Sequence, residues 1–341
     1  MKTHTSIIII FLSLFATVAN TQTRWRVNNT PGVNADFTSV QAAIDSANAG
    51  DIIYIENSGI PYDNNIEISK QLTLLGPGYF LASNDSTQAN KSNTMLPNVA
   101  FNSESSGSVM MGVWVTNHLT VSASNIVIAR NRVNNLNLAR GNEAGNIVVS
   151  QNYLTSIENG YSSYNYYFTA VIMNNIIIGR VVLNEYGAIE FRNNSVYHYY
   201  YNSGYPTVSI YNSTIKNNVI FRYPENTSNY AISCDESHNN TIEYNLCNQD
   251  SVAIYPNNLW EINVEDVIVN VGGPETKYYL KEGSPAIGYG EFGVDCGAFG
   301  GDSPYILSGL PPLPHIFKTS IPISGTSNNG LPVNVKIKSQ N

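Results

Sequence analysis

Apolar residues recur along this chain with two different periods. After an apolar run from Ile7 to Phe15, the first periodic stretch places Val40, Ala43, Ile44 and Ala47 at i, i+3, i+4 and i+7, one face of a helix. Asp36, Phe37, Thr38 and Ser39 precede it with N-cap candidates, and Gly50 follows as a C′ stop. From Asp51 the period falls to two. Residues 51–55, 65–68 and 71–75 read as short strands separated by turn clusters.

Further on, the text repeats itself. Asn131, Asn152, Asn175, Asn194, Asn218 and Asn245 follow one another at spacings of 21, 23, 19, 24 and 27 residues. Three positions before each stand Ile128, Val149, Ile172, Phe191, Ile215 and Ile242; two positions after stand Val133, Leu154, Ile177, Val196, Ile220 and Cys247. Five before, Ile126, Ile147, Ala170 and Ile189 keep the pattern, while Ser213 and Asn240 break it. This is strand alternation interrupted by an Asn corner. No single coil of this length buries its own apolar face, so the repeat predicts a parallel β-helix with coils stacked about 4.8 Å apart. Asn tolerates the left-handed backbone and bonds to the next corner, so the anchors are expected to form a ladder. Leucine-rich and propeller repeats need spacings that are absent.

Residues 36–55, followed by Ile68-Ser-Lys-Gln-Leu-Thr-Leu-Leu-Gly76, resemble the N-terminal cap and first coils of right-handed parallel β-helix proteins of the pectin-lyase-like superfamily. Residues 283–288 through 295–301 resemble the closing coil of secreted bacterial members. The resemblance covers residues 36–301. It implies an all-β solenoid with an N-terminal capping helix, and it leaves activity open, because that superfamily includes lyases, hydrolases, epimerases and non-catalytic adhesins.

The flanks divide the chain. Lys2 and His4, the apolar run and Thr17-Val18-Ala19 predict a signal peptide over residues 1–20, hence export to the cell surface or beyond. No later segment is long and apolar enough for a transmembrane helix. The β-helix domain then spans 21–301, and 302–341 is a C-terminal extension with a Pro-rich stretch at 310–314 and an alternating segment at 333–338. That segment packs back along the solenoid, caps its last coil, or docks a partner or a surface. Arg24 and Arg26 around Trp25 are expected to cover the cap.

Composition narrows the chemistry. Charged residues are only 12% of the chain, and 47 asparagines take their place. A net charge of −8 argues against nucleic acid as a partner. No Asp occurs between Asp85 and Asp235, so neither the paired Asp of a polygalacturonase-like site nor an Asp-rich calcium site can be built on the central coils. No metal or other cofactor is expected. Cys234, Cys247 and Cys296 fit buried thiols or a Cys234–Cys247 disulfide, and both remain open.

Two constellations remain. Arg192, Lys216 and Glu243 occupy the outward position two before successive anchors, with Glu190 beside Arg192. A polysaccharide lyase or hydrolase would use such groups, with His198 as a further candidate, as base and carboxylate-neutralising cation; otherwise they form a surface charge ladder. Tyr164, Tyr186, Tyr205, Tyr230 and Tyr255 fall 10 to 12 residues past successive anchors, a column able to receive sugar rings, or simply the start of each next strand. The leading expectation is an exported, non-catalytic binder of polysaccharide or another extended ligand along this Tyr-bearing face. An unusual lyase or hydrolase, and a structural or adhesive surface protein, are the alternatives.

Overall fold

A computed structural model describes residues 22–139, 143–159, 166–199, 206–223, 231–233, 239–249, 255, 257–325 and 330–339. The chain winds into a parallel β-solenoid. Ten strands stack in one sheet, here sheet A, and eleven in a second, sheet B, with every solenoid pairing parallel. Among the described residues no helix is long and apolar enough to cross a membrane.

The predicted register holds. Ile128, Val149, Ile172, Phe191, Ile215 and Ile242 pair in that order across sheet A, and all six are buried. Val133, Leu154, Ile177, Val196, Ile220 and Cys247 close the same core from sheet B. Where the apolar pattern breaks, polar groups pair instead. Ser213 Oγ accepts the Ile189 N–H, and Asn240 Oδ1 accepts the Ser213 N–H.

The six anchors form a buried ladder. From Asn152 onward each side-chain Oδ1 accepts both the backbone N–H and the Nδ2 of the preceding anchor, as Asn194 does from Asn175 at 3.1 and 3.0 Å, while Asn131 Oδ1 accepts from the Val113 N–H. Each Nδ2 also donates to main-chain carbonyls, so every amide is satisfied without water. Asn258 adds a further rung, accepting from Asn245 only 13 residues after it. The left-handed residue is the one before each anchor: Arg130, Gln151, Asn174, Asn193, Asn217 and Tyr244 have φ between 51° and 58°. The anchors themselves do not have positive φ, contrary to the sequence expectation; the turn is taken one residue earlier, and the anchor's amide is left to bond along the stack.

The helix runs Val40–Ser46, with the Ser39 side chain capping the Ala42 N–H. Asp63 accepts the Val40 and Gln41 N–H groups, which fixes the cap over the first coil. The helix ends before Gly50, whose φ of 93° serves the turn into the next strand.

Residues 283–301 do not close the solenoid. They belong to a strap that runs outside it, back across the corner from late coils to early ones. The left-handed row holds the strap rung by rung. Asn217 Oδ1 accepts the Glu291 N–H, Asn193 Nδ2 donates to Asp295 O, and Asn174 Nδ2 to Ala298 and Gly300 O. Gln151 Nε2 then donates to Pro304 O and Arg130 Nη1 to Leu310 O. Beneath the strap lies a second apolar cluster, with Tyr153, Ile176, Val219 and Leu246 on the outer face of sheet B against Ala286, Cys296, Ala298 and Tyr305. Cys296 is a free buried thiol, and Cys234 lies outside the described residues. The alternating C-terminal segment does form a strand, Asn334–Ser339. It pairs with Pro314–Ser320 in a separate antiparallel ribbon that joins neither solenoid sheet, and that ribbon is bonded at Ala89, near the early coils and not the last one.

Candidate functional site

The charged ladder is in the expected register, Arg192 opposite Lys216 and Lys216 opposite Glu243. Its groups are engaged with one another. Arg192 pairs with Glu190. Lys216 Nζ sits 2.9 Å from Glu291 of the strap and 3.0 Å from Glu243. Hydrogen bonds to Glu291 and then Glu243 hold the Lys216 ammonium above its ordinary pKa, the wrong direction for a base. His198 is on sheet B, away from this ladder, and is buried rather than a surface histidine. It lies in register with Arg222, itself 1% exposed, and its Nδ1 is 3.4 Å from Thr207 Oγ1. Burial first, then Arg222 and Arg180, lower its pKa to about 4.

Of the tyrosine column, Tyr164, Tyr205 and Tyr230 lie outside the described residues. Tyr186 is half-buried at the turn after Asn184, and Tyr255 packs against the solenoid core. A different aromatic pair is on display. Tyr199 and Tyr223, five positions past their anchors, stack on successive coils with centroids 4.9 Å apart and planes within 9°. Both are exposed, and the stack covers one face of each ring.

The carboxyl with the most altered surroundings is Glu275, 1% exposed between strap and solenoid. Its Oε1 accepts from Tyr305 OH at 2.6 Å and the Ser308 N–H at 2.8 Å, and its Oε2 from Asn84 Nδ2 at 2.6 Å. Burial pushes its pKa up to about 7 against the pull of these donors. Tyr79 closes the cluster through the Tyr305 hydroxyl, and Arg132 lies between the Phe80 and Trp114 rings. Sealed on all sides, this group fastens the strap to the loop after residue 76; it does not face a ligand.

The open site is elsewhere. A groove of about 610 Å³ lies at the N-terminal end of the outer face of sheet A, between the first two strands and the root of the C-terminal ribbon. The first strand, Arg24–Val27, alternates so that Arg24 and Arg26 face outward while Trp25 packs on the core and donates to Asp51. They therefore line the groove instead of covering the cap. Tyr54 stands beside Arg26 in register, and Asn57, Gln88 and Asn90 add amides to the wall. Arg26 is tied to Glu56 at 2.6 Å, whereas Arg24 forms no ion pair among the described residues. His315 lines the opposite wall, buried, with its Nε2 lacking a hydrogen-bond partner.

An aromatic ring, neutral amides and a free cation around an open trough suit a hydroxyl-rich ligand. The Arg-Trp-Arg-Val alternation was the one sequence signal for it. The remaining wall comes from loops and a ribbon whose position no local pattern announces. Among the described residues no group of His, Cys, Asp and Glu is placed to hold a metal ion. The chain matches no protein-family model and no curated protein.

Proposed function

We propose that this chain is an exported, non-catalytic scaffold that binds polysaccharide, with the sugar lying in the groove at the N-terminal end of sheet A. The observation that carries this reading is the groove itself: Tyr54, Arg24 and the amides of Asn57, Gln88 and Asn90 converge on one open trough. The aromatic face that the tyrosine column was expected to supply is here a single ring, flanked by amides whose Nδ2 and Nε2 at Asn57 and Gln88 already donate to main-chain carbonyls, so that their oxygens are the groups offered to sugar hydroxyls. The ion pairs around Arg192 and Lys216 favour binding over lyase chemistry, since both cations already neutralise protein carboxylates.

The test is calorimetric titration of the mature protein against neutral and acidic polysaccharides, with release of unsaturated product followed in parallel. Tyr54→Ala lowers affinity about five- to tenfold, the loss of roughly 1 kcal/mol of ring contact. Arg192→Ala leaves affinity unchanged. Turnover by the wild type that disappears in Arg192→Ala or Lys216→Ala overturns the binding reading in favour of a lyase.

A further inference from the structure

The outer face of sheet A changes character along the stack. Its ends are charged, with Arg24 and Arg26 on the first strand and Glu190, Arg192, Lys216 and Glu243 on later ones. Between them Val109, Val127, Val148 and Val171 stand in register on four successive coils. Met111 and Met173 lie outward in the adjacent column. An outer sheet face that meets only water ordinarily alternates to polar residues. This one is an apolar strip of half-buried valines.

The C-terminal ribbon is the second unsatisfied surface. Ile316 pairs with Ile337 across it, and Val335 lies on the same side; all three are more than 40% exposed. Lys336, Lys338 and Lys318 point to the other side. A two-stranded ribbon is marginal in water without a surface to lie on. Its root is held to the loop after residue 76 by the Ala89 N–H on Ile316 O, yet Val335 and Ile337 on its apolar side stay 46% and 62% exposed. Charge also separates ribbon from body. Residues 303–341 contain three lysines and no acidic residue, in a chain whose net charge is −8.

We propose that these two surfaces meet between molecules: the ribbon of one copy lies over the valine ladder of a second copy. Both are strand-built and flat, both are apolar on the side left open, and a cationic arm approaching an acidic body is favoured at long range. The contact joins unlike patches. Reciprocated, it gives a two-fold dimer; passed on, it gives a filament. The proposal does not depend on the sugar groove.

Sedimentation velocity over a concentration series tests it with two double variants, each checked for an unchanged thermal transition. Val335→Asn/Ile337→Asn removes the apolar side of the ribbon, and Val127→Lys/Val148→Lys charges the ladder. The wild type is expected to self-associate, and each variant alone to associate at least tenfold more weakly. Mixing the two variants is expected to restore association, because one keeps its ribbon and the other its ladder. A monomeric wild type overturns the proposal. So does association that survives the ribbon variant, which would mean ladder against ladder, or a mixture that stays monomeric.

Discussion

The side chain of Asn194 is fully buried and makes five hydrogen bonds inside the solenoid. Replacing it with Ala leaves the Asn175 N–H without its acceptor and removes four further buried bonds, two of them to the neighbouring anchors. An unsatisfied buried donor costs about 1–3 kcal/mol, so Asn194→Ala is expected to destabilise the protein by about 3 kcal/mol or more in urea unfolding. Loss of less than 1 kcal/mol would mean that the ladder only fills space. The six central anchors were legible because a buried amide at each corner needs the same neighbours on every coil. Asn258 was not, since it arrives after 13 residues with Tyr255 and Trp260 in place of the apolar flanks. The left-handed position was misread for a related reason. Arg, Gln, Asn and Tyr all occupy it, and only their shared φ identifies them.

At the scale of elements, the strap was the part least visible in the sequence. Its partners on the solenoid mostly contact its carbonyl oxygens, which any residue supplies, so its Gly- and Pro-rich text reads as one more coil. Gly112 shows how close the packing is: a Cβ there would come within 2.7 Å of Pro311. The strap also carries a pH signature. Glu275 releases its proton near 7 in the folded protein and near 4.5 when exposed, so its contribution to stability is present below about 4.5 and lost as the pH rises to 7. His198 acts oppositely. Its folded value near 4 lies below 6.5, so its contribution is present above 6.5 and lost as the pH falls towards 4. The two slopes offset one another in the wild type between about pH 4.5 and 6.5. Glu275→Gln removes one of them, and its melting temperature is expected to fall on acidification through that window, by the equivalent of up to about 3 kcal/mol. A variant whose pH profile parallels the wild type would show that Glu275 stays ionised in the folded state.

Over the whole molecule, each coil touches chiefly the coils above and below, so damage should spread locally before it spreads globally. Phe191 is fully buried between Ile172 and Ile215. Phe191→Asp buries an unpaired carboxylate at a cost of several kcal/mol, and hydrogen exchange is expected to rise first in the strands around residues 168–173 and 214–216. Uniform loss of protection from the first strand onward would show instead that the solenoid unfolds as one unit. The architecture was legible because stacking demands repetition. The groove was not, because it is built from residues as far apart as Arg24, Gln88 and His315, which no repeat relates.

The strap also sets an order of events in time. Coils can stack as soon as the chain emerges, each laid on the one before. The contacts of Tyr79 with Tyr305 and of Phe80 with Ser308 cannot form until more than 220 further residues have followed. A chain that folds as it is synthesised, N-terminus first, therefore passes through a stage in which the solenoid is wound but unlatched, with the outer face of sheet B bare. The last stretch to arrive turns back over the corner and closes it. Interrupting synthesis or transit before residue 310 leaves a wound stack whose earliest coils are the ones without a fastening.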